Sequence, residues 1–345
     1  MNILVIGPSW VGDMVMAQAL FKELARLYPK ANIDVLAPDP SRPLLSRMPE
    51  VNQALNMPLG HGAVDLKVRW NIGRSLRAKH YDWAILLPNT FKSALIPLFA
   101  GIPRRTGWRG EMRYLLLNDL RILDETRYEL MVERFVALAH DKNGVLPDTL
   151  PKPKLLTRDG EREAAVNRLG LEVGGRPVLA LCPGAEFGDA KRWPGEKYAE
   201  LAAQKIAEGW QVWLLGSPKD RAGADDIYHA LNKVAQEHCA NLCGQTSLTE
   251  VVDIMSLADA VVSNDSGLMH IAASLNRPLV VIYGSTSPKF TPPLSERVEI
   301  VSLNLDCSPC FKRECPLGHT HCLKHMPTSL ILDALSKLPQ PTVIS

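Results

Sequence analysis

Residues 1–14 read MNILVIGPSWVGDM, and this stretch decides the fold of the first half of the chain. The apolar run Ile3–Ile6 predicts a buried strand, and Gly7–Gly12 has the G-x-x-x-x-G spacing of a loop that cradles phosphate before a helix. Such a loop continues with Lys and then Ser or Thr, whereas Asp13 and Met14 follow here. A carboxylate at the positive end of a helix repels phosphate. The stretch therefore predicts a strand, loop and helix that hold no nucleotide phosphate.

Strands and helices continue to alternate after this start. The pattern predicts a helix over Met14–Tyr28 and strands over Ile33–Ala37 and Trp83–Leu87. Such alternation is typical of an α/β domain with a parallel sheet that helices cover on both faces. The proline-rich run Leu146–Lys154 ends the pattern and predicts a linker.

We divide the chain at this linker into domains of residues 1–157 and 158–345, because 345 residues are long for one core. The strand Pro177–Leu181 opens the second domain. Later strands also end in turns rich in Gly, Ser or Asp that precede helices: Gln211–Leu215, Ala260–Ser263 and Pro278–Tyr283. Ligands of open parallel sheets bind outside the carboxyl ends of the strands. These turns therefore form the predicted anion site.

The composition is that of a soluble globular protein, with 46% hydrophobic and 22% charged residues. No basic leader precedes an apolar run, so we expect no secretory signal. The most apolar long window, Trp83–Ile102, is interrupted by prolines and by Lys92, which disfavours a membrane span. We therefore expect a cytoplasmic protein.

Charge is distributed unevenly along the chain. Residues 1–157 carry 21 Lys and Arg against 15 Asp and Glu, whereas the remainder carries 18 against 22. The excess concentrates in a basic stretch between Arg69 and Arg113, whose cations are Arg69, Arg74, Arg77, Lys79, Lys92, Arg104, Arg105, Arg109 and Arg113. It indicates an anionic partner or, more simply, a solvated basic surface. Nucleic acid is not the expected partner, because no binding motif occurs and aromatic residues are only 6%.

The run Asp265-Ser266-Gly267-Leu268-Met269-His270 is the first candidate for the anion site. The unpaired N–H groups of Gly267, Leu268 and Met269 at a helix start bind phosphate oxygens well. Two simpler interpretations stay open. Asp265 or Ser266 is an ordinary helix cap, and His270 is a core residue.

The second candidate is the pair Lys191 and Arg192, which lies between Gly184 and a Trp-Pro helix start. Beside an anion site, two adjacent cations would neutralise a diphosphate without a metal, although alone they read as surface residues. Gly216 ends the next strand, and the following Ser217-Pro218-Lys219-Asp220 resembles a capping box. A ribose-binding role for Asp220 is the alternative.

Cysteines and histidines are interleaved near the C-terminus: Cys307, Cys310, Cys315, Cys322, His319, His321 and His325. Four thiols with nearby histidines suit tetrahedral zinc, but only the first pair has zinc-like spacing. We assign no metal ligands and leave structural zinc open. Disulfides are disfavoured in a cytoplasmic protein.

Together these stretches resemble glycosyltransferase family 9, the bacterial ADP-heptose:lipopolysaccharide heptosyltransferases. The matching pieces are Gly12-Asp13, Lys191-Arg192-Trp193-Pro194 after Gly184, and Asp265 to His270, in the expected order over nearly the whole chain. The resemblance implies a GT-B architecture of two Rossmann-like domains facing across a cleft, the first binding acceptor and the second nucleotide sugar. The last helix is free in this scheme to pack back on the first domain.

The resemblance also implies the chemistry, which is an inverting and metal-independent transfer with no cofactor. The donor would be ADP-L-glycero-D-manno-heptose, and the acceptor Kdo2-lipid A bearing one heptose. Asp13 would be the catalytic base and Lys191 the diphosphate ligand. The other expected donor-site residues are Gly184, Arg192, Gly216, Asp220, Asp265, Ser266, Gly267, Leu268, Met269 and His270.

For the acceptor we assign Gly12 together with Arg104, Arg105 and Arg109 of the basic stretch, since the Kdo carboxylates of the acceptor are anionic and would pair with cations. Such an acceptor also predicts peripheral, salt-sensitive contact with the inner face of the inner membrane.

Three alternative functions stay open at this point. A sugar-nucleotide epimerase shares the two-domain architecture, and another family 9 transferase would differ in donor or acceptor. A non-catalytic nucleotide-binding or zinc-binding module is disfavoured by the coexistence of Asp13 and Lys191. A nicotinamide oxidoreductase is disfavoured because neither half has G-x-G-x-x-G after its first strand.

Overall fold

The computed structural model describes residues 1–59, 62–142 and 144–339. The chain divides into two compact units. The first contains residues 1–154 and 289–291, and the second contains 155–288 and the chain from Pro292 on. The division therefore falls between Lys154 and Leu155, at the end of the proline-rich run rather than after Thr157.

The first unit is a parallel sheet with helices. Its strands are β1 (Asn2–Ile6), β2 (Asn32–Ala37), β3 (Gln53–Asn56), β4 (Trp83–Leu86), β5 (Arg104–Trp108) and β6 (Asp119–Arg121). Its helices are α1 (Val11–Leu27), α2 (Leu66–Leu76), α3 (Leu95–Phe99) and α4 (Met131–Val136). Among the described residues the strand order is β3-β2-β1-β4-β5-β6, and every pair is parallel.

The first strand is apolar throughout because both of its faces are covered. Residues 3–6 are completely buried, as expected for a central parallel strand. Gly7 packs closely under the start of α1 and beside β2, since a Cβ there would lie 2.8 Å from Met14 Cε and 3.2 Å from Val35 Cγ1. The helix begins at Val11, earlier than the predicted Met14, and so Asp13 lies within its first turn.

The second unit repeats this plan. Its strands are β7 (Val178–Cys182), β8 (Gln211–Leu214), β9 (Cys239–Asn241), β10 (Ala260–Asn264), β11 (Leu279–Ile282) and β12 (Val298–Val301). Its helices are α5 (Asp159–Leu169), α6 (Gly195–Ala207), α7 (Arg221–Ala230), α8 (Lys233–Gln236), α9 (Leu248–Met255), α10 (Gly267–Ser274), α11 (His321–Lys324) and α12 (Thr328–Lys337). The described strands are parallel in the order β12-β11-β10-β7-β8-β9.

Both sheets have the doubly wound strand order in which the chain reverses direction beside its first strand. The reversal point lies between β1 and β4 in the first unit and between β7 and β10 in the second. The predicted α/β class with two doubly wound parallel sheets is confirmed. Ligands of such sheets bind at this point, outside the carboxyl ends of the strands.

The last helix, α12, packs against β11, β12 and α6 within the second unit. Its Ile331, Ala334 and Leu335 join the apolar core there. No helix in the described part of the chain has the length and apolarity needed to cross a bilayer.

Candidate active site

Gly12 and Asp13 lie where sequence analysis expected them, at the carboxyl edge of the first sheet. They occupy the first turn of α1, directly after the loop that follows β1, and both are partly exposed. The N-terminal end of a helix carries partial positive charge, which favours the ionised form of a carboxylate. The position therefore suits a carboxylate that accepts a proton.

Lys191 and Asp265 form the centre of the second unit's site. The Lys191 ammonium lies 2.6 Å from Asp265 Oδ2, and both side chains are largely buried. Thr286 donates a hydrogen bond of 2.5 Å to the same carboxylate oxygen. The ammonium also lies 5.0 Å from the centre of the Phe187 ring, within cation–π range. These contacts fix the ammonium in place, and an ammonium has three N–H donors for its partners.

Three adjacent strands bring these residues together. Lys191 belongs to the loop after β7, Asp265 directly follows β10, and Thr286 belongs to the turn after β11. Since β11, β10 and β7 are neighbours in the sheet, their carboxyl ends meet at one edge. The cluster therefore lies at the reversal point of the second sheet.

The α10 N-terminus lies beside this cluster. Ser266 is the N-cap residue, without a side-chain capping bond, and Gly267 and Leu268 are partly exposed. The Met269 side chain is completely buried, so only its backbone is suited to a ligand. Early N–H groups of a helix of this length provide an anion-binding edge.

His270 occupies the fourth position of α10 and is buried. Burial is the main reason that its pKa falls to about 4, and the nearby Lys191 lowers it further, against the opposing effect of Asp265. The imidazole is therefore neutral at pH 7. Its position beside Lys191 and Asp265 agrees with the expected neighbourhood, while its burial agrees with the core interpretation.

Asp220 serves as a structural cap. Its Oδ2 accepts hydrogen bonds from Ser217 N at 2.9 Å and Ser217 Oγ at 2.7 Å, and its Oδ1 lies 3.3 Å from Arg192 Nη2. Position 184 has no room for a larger side chain beside this carboxylate, since a Cβ on Gly184 would lie 2.4 Å from Asp220 Cγ. A Cβ on Gly216 would likewise lie 3.0 Å from Asp220 Cβ. The capping interpretation is confirmed, and ribose binding by Asp220 stays a prediction.

Asn264 is a structural residue of the site that sequence analysis missed. It is completely buried at the end of β10. Its Oδ1 accepts hydrogen bonds from Trp193 N and Tyr198 OH, both at 3.1 Å, and its Nδ2 donates to Pro183 O at 2.7 Å. Asn264 thus ties β10 to the loop that carries Lys191. Thr286 was missed as well, although the turn that follows Pro278–Tyr283 was predicted to form part of the anion site.

The cysteine-rich segment packs on the same loops. Phe311 N donates to Ser285 O at 2.7 Å, and Ala190 N donates to Arg313 O at 3.1 Å. The four thiols line one small cavity with Ala190 and Ser285: Cys307, Cys310, Cys315 and Cys322. Within the ranges that the structure describes, no three His, Cys, Asp or Glu side chains form a group able to hold a metal ion.

The structure does not bring all expected acceptor residues together. Arg104 and Arg105 begin β5 and therefore lie at the amino edge of the first sheet, opposite Gly12. Arg104 stacks 4.1 Å from the Trp83 ring and pairs with Asp119 at 3.2 Å. The guanidinium of Arg105 donates to backbone carbonyl groups. The expectation that these two arginines share one acceptor site with Gly12 is therefore wrong.

Arg109 follows β5 and is exposed at the same carboxyl edge as Gly12. The basic stretch as a whole is less available than its composition suggested. Arg69 and Arg113 are buried, with guanidinium groups that donate to loop carbonyl oxygens. These two cations hold loops together, because a buried guanidinium needs its donors satisfied.

Comparisons with known proteins agree with this geometry. The model of glycosyltransferase family 9 (heptosyltransferase) matches residues 69–321. Lipopolysaccharide heptosyltransferase 2 of Escherichia coli K12 is 52% identical over 343 residues, which are 98% of both chains. Lipooligosaccharide heptosyltransferase 2 of Haemophilus influenzae is 51% identical over 310 residues, 88% of this chain and 89% of the relative.

Solved structures give the same result. The structure of E. coli ADP-heptose lps heptosyltransferase II superposes with a TM-score of 0.87 and 50% identity, over 98% of each chain. The match confirms the predicted class of two Rossmann-like domains of the GT-B type. The chain therefore belongs to glycosyltransferase family 9, the heptosyltransferases.

Proposed function

We propose that the chain transfers a heptose from ADP-L-glycero-D-manno-heptose to the heptose of a lipopolysaccharide inner-core acceptor, Kdo2-lipid A bearing one heptose. The relatives that support this function are named as lipopolysaccharide or lipooligosaccharide heptosyltransferase 2. The observation that carries it in this chain is the Lys191–Asp265–Thr286 cluster at the reversal point of the second sheet. These comparisons do not favour an epimerase.

In this proposal the second unit holds the donor diphosphate. The Lys191 ammonium and the N–H groups of Gly267–Met269 stabilise the negative charge that develops on the departing ADP. Arg192 lies at the border of the site, 40% exposed, where its cation supplements that of Lys191. Side-chain and backbone donors fill the role that a metal ion plays in other transferases, so the reaction is proposed to need neither metal nor cofactor.

The first unit supplies the base. The Asp13 carboxylate accepts the proton of the acceptor hydroxyl as the hydroxyl oxygen attacks the anomeric carbon of the donor heptose. The bond from that carbon to the diphosphate oxygen breaks, and its electron pair leaves on ADP. Because attack occurs opposite the leaving group, the anomeric configuration inverts. A diphosphate is a stable anion and leaves without a strong general acid.

Gly12 and Arg109 are the expected acceptor-site residues that remain at this edge of the first sheet. The proposed acceptor is anchored in the inner membrane, so the protein would work in the cytoplasm in peripheral contact with that membrane. Nucleic acid has no part in this function.

The test is a transfer assay with purified protein, ADP-heptose and the heptose-bearing acceptor. We expect the acceptor to gain the mass of one heptose as an equal amount of ADP is released. Treatment with a chelator should leave the rate unchanged. Incubation with the donor alone should leave its sugar unaltered, whereas an epimerised sugar nucleotide would replace our proposal by the epimerase.

A further inference from the structure

An exposed group of apolar side chains lies on the loops that follow β4 and β5 in the first sheet. We name Phe91, Met112, Tyr114 and Leu115 the apolar cluster. Leu115 is 92% exposed, Met112 80%, Tyr114 57% and Phe91 43%. Single exposed apolar residues are common, but a group of them beside cations marks an interaction surface.

Two loops that are joined by hydrogen bonds carry this cluster. Phe91 follows β4, and the other three belong to the connection between β5 and β6. Glu111 N donates to Asn89 O at 3.0 Å, and Phe91 N donates to Glu111 Oε2 at 2.6 Å. Gly110 has a φ of +50°, and a Cβ there would lie 2.3 Å from Asn89 O, so only glycine allows this approach.

Buried anchors give the cluster its outward direction. Arg113 is 1% exposed, and its Nη1 donates to Pro88 O at 2.8 Å and to Ser93 Oγ at 3.1 Å. Leu117 is also buried in the apolar core. Residues 112, 114 and 115 therefore project outward, because Arg113 and Leu117 of the same loop are held in the interior.

Two of the three charged side chains at the surface of these loops are cations. Arg109 is exposed and Lys92 partly exposed, and in the described residues neither side chain forms an ion pair with a carboxylate. The acid within residues 109–118 is Glu111, whose carboxylate is held by the Phe91 N–H. Apolar and aromatic side chains beside cations that form no ion pair match the interface of a bilayer that contains anionic lipid.

We propose that the apolar cluster, with Lys92 and Arg109, docks the first unit on an anionic lipid bilayer. Met112 and Leu115 enter the acyl boundary, Phe91 and Tyr114 lie at headgroup level, and the two cations contact lipid phosphates. Phe91 and Arg109 follow β4 and β5 at the carboxyl edge that also carries Asp13, so docking brings the base toward sugars that stand on the membrane. This last step rests on the proposed function, whereas docking itself does not.

The first test uses vesicles of phosphatidylethanolamine and phosphatidylglycerol that contain no acceptor. The full-length protein should co-sediment with them, less so at high salt, and bind weakly to vesicles of phosphatidylcholine alone. The double variant Met112→Ser/Leu115→Ser should bind at least roughly tenfold more weakly than the parent protein, since two apolar side chains are lost from the interface. Val234→Ser is the matched control, because Val234 is 70% exposed in the second unit.

Equal binding of the double variant and the parent protein would overturn the proposal, as would an equal loss in Val234→Ser. Leu115→Trp guards against a folding defect in the double variant. It should bind the vesicles at least as tightly as the parent, with tryptophan emission shifted to shorter wavelength. Weaker binding or an unshifted emission would count against docking through this loop.

A second test separates docking from transfer. With a deacylated, water-soluble acceptor, the double serine variant should match the parent enzyme in kcat/KM. With the acceptor embedded in vesicles, its kcat/KM should fall about tenfold. Loss on both acceptors would contradict docking as the role of the cluster. Absence of transfer by the parent protein would instead contradict the proposed function and leave the vesicle result intact.

Discussion

Lys191 and Asp265 show what a buried ion pair requires. Removing two charges from water is costly, and their attraction offsets this cost only with good geometry and further hydrogen bonds. Here the separation is 2.6 Å, and Thr286 donates an additional bond to the carboxylate. Asp265 therefore holds the Lys191 ammonium at the carboxyl edge of the second sheet.

Asp13→Asn should lower kcat by about 10²- to 10⁴-fold, the usual contribution of a general base. The donor KM should hardly change, because the donor is proposed to bind the other unit. Steady-state kinetics with both substrates varied will measure this. Asp159→Asn is the control, since Asp159 is also an acid in the first turn of a helix, α5. A kcat within a few-fold of the parent enzyme would remove Asp13 from the mechanism.

His270 should make the protein sensitive to acid. Its folded pKa of about 4 lies below the unfolded value of about 6.5, so unfolding takes up a proton between these values. The stabilisation is fully present above pH 6.5 and is lost as the pH falls toward 4, by about 3 kcal/mol in total.

In His270→Gln the free energy of unfolding should therefore fall less steeply over this range. Urea unfolding at pH 7 and pH 4.5 will measure the difference. His229→Gln, at an exposed position of α7, should retain the parent slope. An unchanged slope in His270→Gln would show that the imidazole titrates normally.

At the level of elements, Asn264 joins β10 to the loop after β7 and to the start of α6. Asn264→Ala removes three hydrogen bonds at a completely buried position and leaves Trp193 N without its partner. The free energy of unfolding should fall by about 3 kcal/mol. Urea unfolding tests this, with the exposed Asn167→Ala as the control. A loss as small as that of the control would mean that water replaces the bonds.

The elements themselves were largely predictable, and the reason is periodicity. Buried parallel strands such as β1 and β7 are apolar runs that end in Gly-rich turns, and these signals are local. The error over Arg104 and Arg105 was not local. Cation counts carry no information about which edge of a sheet a residue occupies, and strand direction decides it. Asn264 was missed because its three partners are brought to it by strand order, which a single sequence does not state.

For the molecule as a whole, the two units share one strand order but differ in the charged side chains at the reversal point, which are Asp13 in the first unit and the Lys191–Asp265 ion pair in the second. The Asp13 carboxylate lies in the first turn of α1 in the first unit, and the Lys191 ammonium lies in the loop after β7 in the second unit. The sequence predicted this difference because both residues stand near a glycine loop in a recognisable motif.

A ligand that binds the folded chain raises its melting temperature. At about 100 times its Kd, ADP should stabilise the protein by about 2.7 kcal/mol, roughly 4 °C in Tm for a chain of this length. UDP, GDP and CDP at equal concentration should give smaller shifts, and Lys191→Ala should reduce the shift with ADP. Lys219→Ala is the control, with a side chain 75% exposed. Equal shifts for all four nucleotides would contradict a specific adenine site.

The cysteine-rich segment has a consequence for biosynthesis. Ala190 N and Ser285 O find their backbone partners in Arg313 and Phe311, far later in the chain. A nascent polypeptide still attached to the ribosome lacks those partners until residue 313 has left the exit tunnel. The loops of Lys191 and Thr286 therefore reach their final form only when translation is nearly finished. A message truncated shortly before that codon yields a chain in which these two loops lack backbone partners.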